Sequence, residues 1–318
     1  MNFQQHKAIL DIGSNSFHFV VYKIENDKSF SVVFRKRMVY RLALQKKNGK
    51  SFLSDEDFAE AEKIILELKE IAKSFFCTIT ATATSAVREA VNENDLLEHV
   101  FITTGISIEV LSGEREANLN YSAILYSHPD ALSKNILCLD VGGGSTEFIL
   151  GRAGKIFFIE SLKLGAVRLS LRFFPDGDLD QNEIEACRIF IKREIKSVKE
   201  KLASEKIDFT TGNSGTIHAM KNLVLANAAR FNIEKQDEKI LTKEELDEAV
   251  NLLLTKETIE ERKTIPGIEP ERADILPAGA IILQTIFYEL NLSNLYLSDF
   301  SMREGKLLEV LESDESHG

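Results

Sequence analysis

The chain has 318 residues, of which 44% are hydrophobic and 28% charged, with a net charge of −11 at pH 7. That length allows two domains of ordinary size, each with its own core, and the composition is globular rather than disordered. The acidic balance argues against a nucleic-acid coat or a membrane-surface role, and no apolar run approaches the roughly 20 residues that span a bilayer. An anionic ligand stays open, but it would need local help from a metal, backbone N–H groups or a confined basic patch.

The polar start, Met1 to Lys7, leads straight into a strand-like run, so no signal peptide is expected. The first predicted element is a hairpin. Ile9-Leu10-Asp11-Ile12 is an apolar run ending at a Gly13-Ser14-Asn15-Ser16 turn, and Phe17 to Val21 is a second apolar run. Ser29 to Val39 reads as a further strand. Ser54-Asp55-Glu56-Asp57 caps a long helix with apolar positions at Phe58, Ala61, Ile64, Ile65, Leu68 and Ile71. A strand over Thr78 to Ala83 precedes a turn and helix that hold Arg88. Ile106 to Leu111 reads as a strand, and Glu114 to Tyr126 as a helix.

The hairpin then recurs. Leu139-Asp140-Val141 ends at Gly142-Gly143-Gly144-Ser145-Thr146, and Glu147 to Leu150 follows, every matched residue standing 129 positions after its counterpart. Two copies in register predict two similar domains, each contributing one loop to a shared cleft, with the boundary near Ser122 to Lys134. Beyond it, Lys155 to Leu164 reads as a strand and Asp180 to Ala203 as an amphipathic helix. Phe209 to Gly215 is a strand into a glycine-rich turn, and Thr216 to Ala228 is helical. Helices fit Thr242 to Leu254 and Glu271 to Leu290. Asn294 to Leu297 is a short strand, Met302 to Leu311 a last helix, and Glu312 to Gly318 a polar tail expected to fray. Alternating strands and helices place the chain in the α/β class. Cys77, Cys138 and Cys187 are odd in number and far apart, which fits a reducing cytoplasm rather than a disulfide framework or zinc site.

The chemistry concentrates in the turns. A Gly/Ser-rich turn aims several N–H groups at one anion, and glycine permits close approach and positive φ. The same residue types make a plain hairpin turn. A third such loop, Thr211 to Thr216, lies between a strand and a helix, where the N–H groups favour an anion and Ser214 or Thr216 would cap. Asp11 and Asp140 end their strands, Glu147 opens the next, and Glu116 lies in the first turns of a helix. Carboxylates beside phosphate-binding turns imply a hard cation such as Mg²⁺. For Glu116 alone, a helix-dipole carboxylate is the competing reading, and Glu114 and Arg115 beside it read as a solvated face. Arg88 would either grip phosphate or pair with Glu89 or another acid. His18 and His218, among apolar neighbours, read as packed or hydrogen-bonded.

Taken in order, these segments resemble the Ppx/GppA phosphatase family of the actin-like ATPase superfamily. The resemblance is carried by Asp11 to Phe17, Ala81 to Arg88, Leu111 to Ala117, Asp140 to Glu147, Gly212 to Thr216, Leu297 to Asp299 and Arg303-Glu304-Gly305. It departs from the family pattern at Arg115, where an acid is usual, and at Asn213, Phe300-Ser301 and Ala43. Arg115 and Asn213 are the departures that could retune substrate grip.

The resemblance implies two actin-like (ribonuclease H-like) domains with an interdomain cleft, residues 1–125 with 298–318 and residues 126–297. It implies the short family form, without the extra C-terminal helical domains of long members, and a final helix packed back on the first domain. The implied activity is hydrolysis of terminal phosphoanhydrides in inorganic polyphosphate or guanosine pentaphosphate, in the cytoplasm, by a monomer or homodimer without nucleic-acid or membrane partners. Guanosine tetraphosphate is the corresponding product ligand. Glu116 maps to the catalytic carboxylate. Gly13, Ser14, Asn15, Ser16, Arg88, Gly142, Gly143, Gly144, Ser145, Ser214, Gly215, Thr216 and Arg272 map to phosphate binding. Asp140 and Glu147, with Asp11, map to a Mg²⁺ or Mn²⁺ site. An actin-like-superfamily kinase and a non-catalytic guanosine tetraphosphate-binding regulator are the alternatives. A basic track for a longer anion would draw on Arg35, Lys36, Arg37, Arg41, Lys46 and Lys47 with Arg262, Lys263 and Arg272; the same residues also read as a solvated basic face.

Overall fold

The run Ala8-Ile9-Leu10 is apolar on both of its faces, the mark of a strand covered on both sides. It is the centre of β1 (His6–Ile12), which pairs antiparallel with β2 (Ser16–Ile24), itself followed by β3 (Phe30–Val39). After these come β4 (Gln45–Lys47), β5 (Lys50–Phe52), α1 (Asp55–Ser74) and β6 (Ile79–Ala83). α2 (Ser85–Arg88), α3 (Glu93–Thr104), β7 (Ile108–Val110) and α4 (Gly113–Ser127) follow. The chain continues with β8 (Asn135–Val141), β9 (Thr146–Arg152), β10 (Lys155–Leu162), α5 (Ala166–Phe173), α6 (Gln181–Glu194) and α7 (Lys196–Leu202). Next are β11 (Phe209–Gly212), α8 (Gly215–Ala226), β12 (Ile240–Thr242), α9 (Lys243–Leu254) and α10 (Ile259–Lys263). It closes with α11 (Leu276–Glu289), β13 (Asn294–Leu297) and α12 (Met302–Ser316). The computed structural model describes all residues except 1–4, 26–28, 43–44, 48–49, 129–131, 232, 234–236 and 317–318, and does not describe the side chains of 45–47, 50 and 315–316. Ala43 and part of the expected boundary segment therefore lie outside the described residues.

Two compact units emerge, residues 1–120 with 302–318 and residues 121–301. The boundary expected at residue 125 and the division after Asn120 both fall inside α4, which is unbroken from Gly113 to Ser127. The first unit's sheet has the order β3-β2-β1-β6-β7, antiparallel through β3, β2 and β1 and parallel from β1 to β7. The second unit's sheet has the order β10-β9-β8-β11-β13-β12 and repeats those pairing senses through β13, with β12 added antiparallel at the edge.

In the first unit, Ala8, Leu10 and Ile12 point into one core with Ile64, Ile65 and Leu68 of α1. Ile9 points to the other face, where Val20 and Tyr22 meet Leu307 of α12. Each fully buried Leu or Ile side chain among these contributes about 1.5–3 kcal/mol. Ser54 and Asp57 form the predicted capping box on α1, an arrangement whose removal costs about 1 kcal/mol. In the second unit, α11 is buried from Leu276 through Phe287, as befits a helix apolar on every side.

Some elements differ from the sequence reading. The helix expected over Asp180 to Ala203 is interrupted at Ile195, although the Ile195 N–H still reaches Ile191 O and the Lys199 N–H reaches Ile195 O. The segment opening at Glu271 starts as a short tight turn, Pro270–Arg272, before α11. The tail expected to fray is helical through Ser316, with Asp314 held by Lys7 at 2.6 Å. The small helix α5 escaped the sequence reading, and it matters to the site.

Candidate active site

The two hairpins share one register. Ile12 faces Phe17 and Asp11 faces His18; Val141 faces Thr146 and Asp140 faces Glu147. Each turn closes in the same way, with Gly13 N–H donating to Ser16 O at 3.1 Å and Gly142 N–H to Ser145 O at 2.9 Å. The expectation that these glycines serve positive φ is overturned. Among the described glycines, positive φ is confined to Gly105, Gly154, Gly177 and Gly267. What Gly13 and Gly142 supply is closeness, since a Cβ at either would stand 3.2 Å from the carbonyl oxygen of Ser16 or Ser145.

In both units the candidate residues follow the carboxyl ends of adjacent parallel strands, where ligands of open α/β sheets bind. In the first unit, Gly13 to Ser16 follows β1, Arg88 follows β6 and Glu116 follows β7. In the second, Gly142 to Ser145 follows β8, Ser214 to Thr216 follows β11 and Ser298-Asp299 follows β13.

Glu116 is buried in the first turns of α4. Ser112 sets the helix start, its Oγ accepting the Arg115 N–H at 3.1 Å and its carbonyl the Glu116 N–H at 2.9 Å. Arg88 Nη1 lies 3.2 Å from Glu116 Oε2 and also donates to Leu111 O. Arg88 thus pairs with an acid, and the acid is Glu116. The guanidinium fixes the direction of the carboxylate.

The first loop is anchored on both sides. Ser14 Oγ and Ser85 Oγ are 2.9 Å apart, and Ser16 Oγ lies 2.8 Å from His18 Nε2. Arg41 Nε donates to Asn15 Oδ1 at 3.1 Å. That bond turns the amide so that Asn15 Nδ2, buried, finds no acceptor among the described residues. A buried donor without an acceptor costs about 1–3 kcal/mol, which an anion seated at the loop would recover.

In the second unit, α5 supports the glycine loop from behind. The N–H groups of Ala166 and Val167 donate to the carbonyls of Gly142 and Gly143 at 2.9 Å each, and Arg168 Nε donates to Gly144 O at 2.8 Å. The loop carbonyls are thereby turned into the protein. Gly165, missed in the sequence reading, lies directly against Gly143 and Gly144. The only signal for it was a glycine between two apolar residues. In the third loop, Ser214 caps α8 by accepting the Ile217 N–H at 3.2 Å, while the Thr216 hydroxyl donates to Val141 O at 3.1 Å. The single hydroxyl proton of Thr216 is thereby taken up inside the protein. Arg272 packs its guanidinium over Gly215, where a Cβ would lie 2.7 Å from Cζ, and pairs with Glu269 at 3.0 Å.

The rows crossing the two hairpins differ in charge. In the first unit, Asp11, His18 and Arg37 stand side by side on β1, β2 and β3. Arg303 of α12 adds a second guanidinium 3.4 Å from Asp11 Oδ2. Burial pushes the Asp11 carboxyl up from its ordinary value, and Arg303 opposes that push. In the second unit the same row is Asp140, Glu147 and Ser161, the Ser161 hydroxyl donating to Glu147 Oε1 at 2.7 Å. Two carboxylates directly opposite each other repel. The donor set of the second row therefore fits a hard cation, whereas Asp11 already has a protein cation beside it. Among the described residues no group of three or more His, Cys, Asp or Glu is arranged around one point, so an ion here would keep several waters, as Mg²⁺ commonly does.

The candidates for a basic track disperse. Arg262 is fully buried and donates to the carbonyls of Lys256, Glu257, Ala273 and Gly177, which makes it a clamp of the second unit's loops. Lys36 pairs with Glu67, Lys263 pairs with Glu260, and Arg41 belongs to the first loop. Arg35 is exposed. The side chains of Lys46 and Lys47 lie outside the described residues.

Comparison with known proteins adds a family to this geometry. Residues 20–314 match the model of the Ppx/GppA phosphatase family. The chain belongs to that family. The crystal structure of the Aquifex aeolicus member of the Ppx/GppA family is 27% identical, covers 97% of this chain and 98% of its own, and superposes with a TM-score of 0.77. An exopolyphosphatase from Cytophaga hutchinsonii shares the fold at 24% identity, with a TM-score of 0.84 over 97% of this chain and 98% of that one. A bifunctional 3-dehydroquinate synthase/phosphatase from Fusobacterium nucleatum is 28% identical over 96% of this chain. The chain spans about half the length of that curated relative, 47%. Among the described residues of this Ppx/GppA chain, no helix is long and apolar enough to cross a membrane.

Proposed function

We propose that this chain is a metal-assisted phosphoanhydride hydrolase that removes the terminal phosphate of inorganic polyphosphate or guanosine pentaphosphate, leaving guanosine tetraphosphate in the second case. The observation that carries this reading is the buried Glu116 carboxylate, set at a helix start behind a parallel strand and steered by Arg88. Phosphoryl transfer needs positioning and charge neutralisation more than covalent help. The loops Gly13 to Ser16, Gly142 to Ser145 and Ser214 to Thr216 bind phosphate oxygens through N–H groups and short hydroxyls, aided by the Asn15 amide and Arg272. Glu116 orients the attacking water and accepts its proton. Asp140 and Glu147 would hold Mg²⁺ or Mn²⁺ through water, and the ion, when bound, supplies neutralisation of phosphate charge. Asp11, the other acid expected at the metal, pairs with Arg303.

The repeated strand order of the two sheets supports an actin-like ancestry for both units. The three cysteines are free, which suits a reducing cytoplasm. The deciding experiment measures orthophosphate released by the purified protein from polyphosphate, guanosine pentaphosphate and ATP in parallel, with Mg²⁺. Release from either of the first two, and little from ATP, is expected. ATP turnover that requires an acceptor, as for a kinase, or tight guanosine tetraphosphate binding without any release, as for a regulator, would overturn the reading.

A further inference from the structure

Arg115 stands one residue before Glu116. Consecutive residues of a helix point about 100° apart. Glu116 can therefore face Arg88 while Arg115 faces elsewhere, and here it faces α12. Its guanidinium donates to Glu309 Oε1 and lies 3.6 Å from Glu109 Oε1 of β7. Lys306 of α12 completes the arrangement, bonding Glu109 and, at 2.7 Å, Glu309. Two cations and two carboxylates thus close a ring that joins the end of β7, the first turn of α4 and α12. An acid at position 115 would instead face both carboxylates of that ring.

One turn along α4, the two helices touch. A Cβ at Gly305 would stand 2.6 Å from the carbonyl carbon of Leu119, and closer still to its oxygen. Only glycine lets α12 lie this near the α4 backbone. The start of α4 is then fixed from one side by Arg88 on Glu116 and from the other by α12 on Arg115 and Leu119.

We propose that Arg115 is a positioning residue for Glu116, bridging the first turn of α4 to α12 through Glu309 and Glu109 and so fixing the rotation of the helix that aims the carboxylate. The inference rests on Glu116 being the water-orienting carboxylate. The bridge is partly exposed, where single ion pairs are weak and networks stronger. Its loss should leave the fold intact and cost turnover, since small misplacements of a catalytic group are felt in rate.

The test compares Arg115→Gln, Arg115→Lys, Glu309→Gln and Glu116→Gln, with the double variant Arg115→Gln/Glu116→Gln, on the substrate found active. Arg115→Gln and Glu309→Gln should each lower kcat about 3–10-fold with KM within about 2-fold. Arg115→Lys should recover part of the loss. Arg115→Gln should add nothing in the Glu116→Gln background. If Arg115→Gln fails to fold, Glu309→Gln carries the same expectation from the α12 side. Unchanged kcat in both Arg115→Gln and Glu309→Gln, beside a disabled Glu116→Gln, overturns the bridge and leaves the Glu116 assignment standing. An equal loss in the Glu116→Gln background overturns it as well. Near-normal turnover in Glu116→Gln removes the assignment itself.

Discussion

Gly165→Ala would disturb the glycine loop without changing any loop residue. The backbone at Gly165, with φ −142° and ψ 153°, is extended and open to any residue, so alanine costs nothing in conformation. The cost is steric. The new Cβ would stand 2.5 Å from the Gly144 carbonyl carbon and closer to the Gly143 carbonyl, all of it backbone. Carbon contacts settle at about 3.5–4.0 Å, so the loop or the start of α5 must retreat by about 1 Å. That retreat strains the three N–H bonds from Ala166, Val167 and Arg168 that hold the Gly142 and Gly143 carbonyls. Overpacking of this kind costs about 1–3 kcal/mol. A displacement of about 1 Å at a catalytic site costs up to about 100-fold in rate. Phosphate release should therefore fall about 10–100-fold in kcat/KM, and thermal unfolding should move down by several degrees. Wild-type kcat/KM together with an unchanged Tm would refute the argument that Gly165 is there for closeness.

Four further outcomes follow from the same geometry. Activity should vanish after chelation and return with Mg²⁺ or Mn²⁺, and Asp140→Asn should raise the metal concentration needed for half-maximal rate; full activity in a metal-free preparation would remove the cation. Lys221→Met should destabilise by about 3–5 kcal/mol, because it strands the buried Glu245 carboxylate that Lys221 holds at 2.9 and 3.0 Å. The pair Lys221→Met/Glu245→Gln should cost less, a comparison read from denaturant midpoints. Tyr121→Phe should stabilise by about 1 kcal/mol, since the buried Tyr121 hydroxyl has no hydrogen-bond partner among the described residues and only the cost of its desolvation is removed; a fall in Tm would show a missed partner. The last concerns acid. Burial raises the Glu309 carboxyl, but Arg115 and Lys306 outweigh that and hold it below its ordinary 4.5. A carboxylate lowered on folding adds stability above 4.5 and loses it as pH falls from there through the lower folded value. Stability should drop in that window, and the drop should be smaller in Glu309→Gln.

Much of the site is legible in the sequence because it is local. Each hairpin is one continuous stretch, His6 to Ile24 or Asn135 to Arg152, and its register follows from the alternation of apolar residues and the turn between them. That is why matching Asp11-to-Phe17 with Asp140-to-Thr146 anticipates two turns closed by the same bond. The capping box at Ser54 and the cap at Ser214 are local in the same sense, since each is completed within three residues.

What the tertiary structure decided concerns partners far apart in the chain. Arg262 reads as one more surface cation, yet it is buried because four loop carbonyls converge on it from Gly177, Lys256, Glu257 and Ala273. Arg115 reads as part of a solvated face, and its neighbours on α12 appear only when the last helix returns to the first unit. Gly165 and Gly305 carry no turn signal, and their need for a missing Cβ arises from backbone brought against them in the folded state. Asp11 and Asp140 look equivalent in the sequence. They differ because His18 and Arg303 stand by the first, while Glu147 stands opposite the second. The sequence by itself determined the loops, since turn chemistry acts between neighbours in the chain. Which charged groups surround each aspartate was decided by tertiary packing, because charge compensation acts across space.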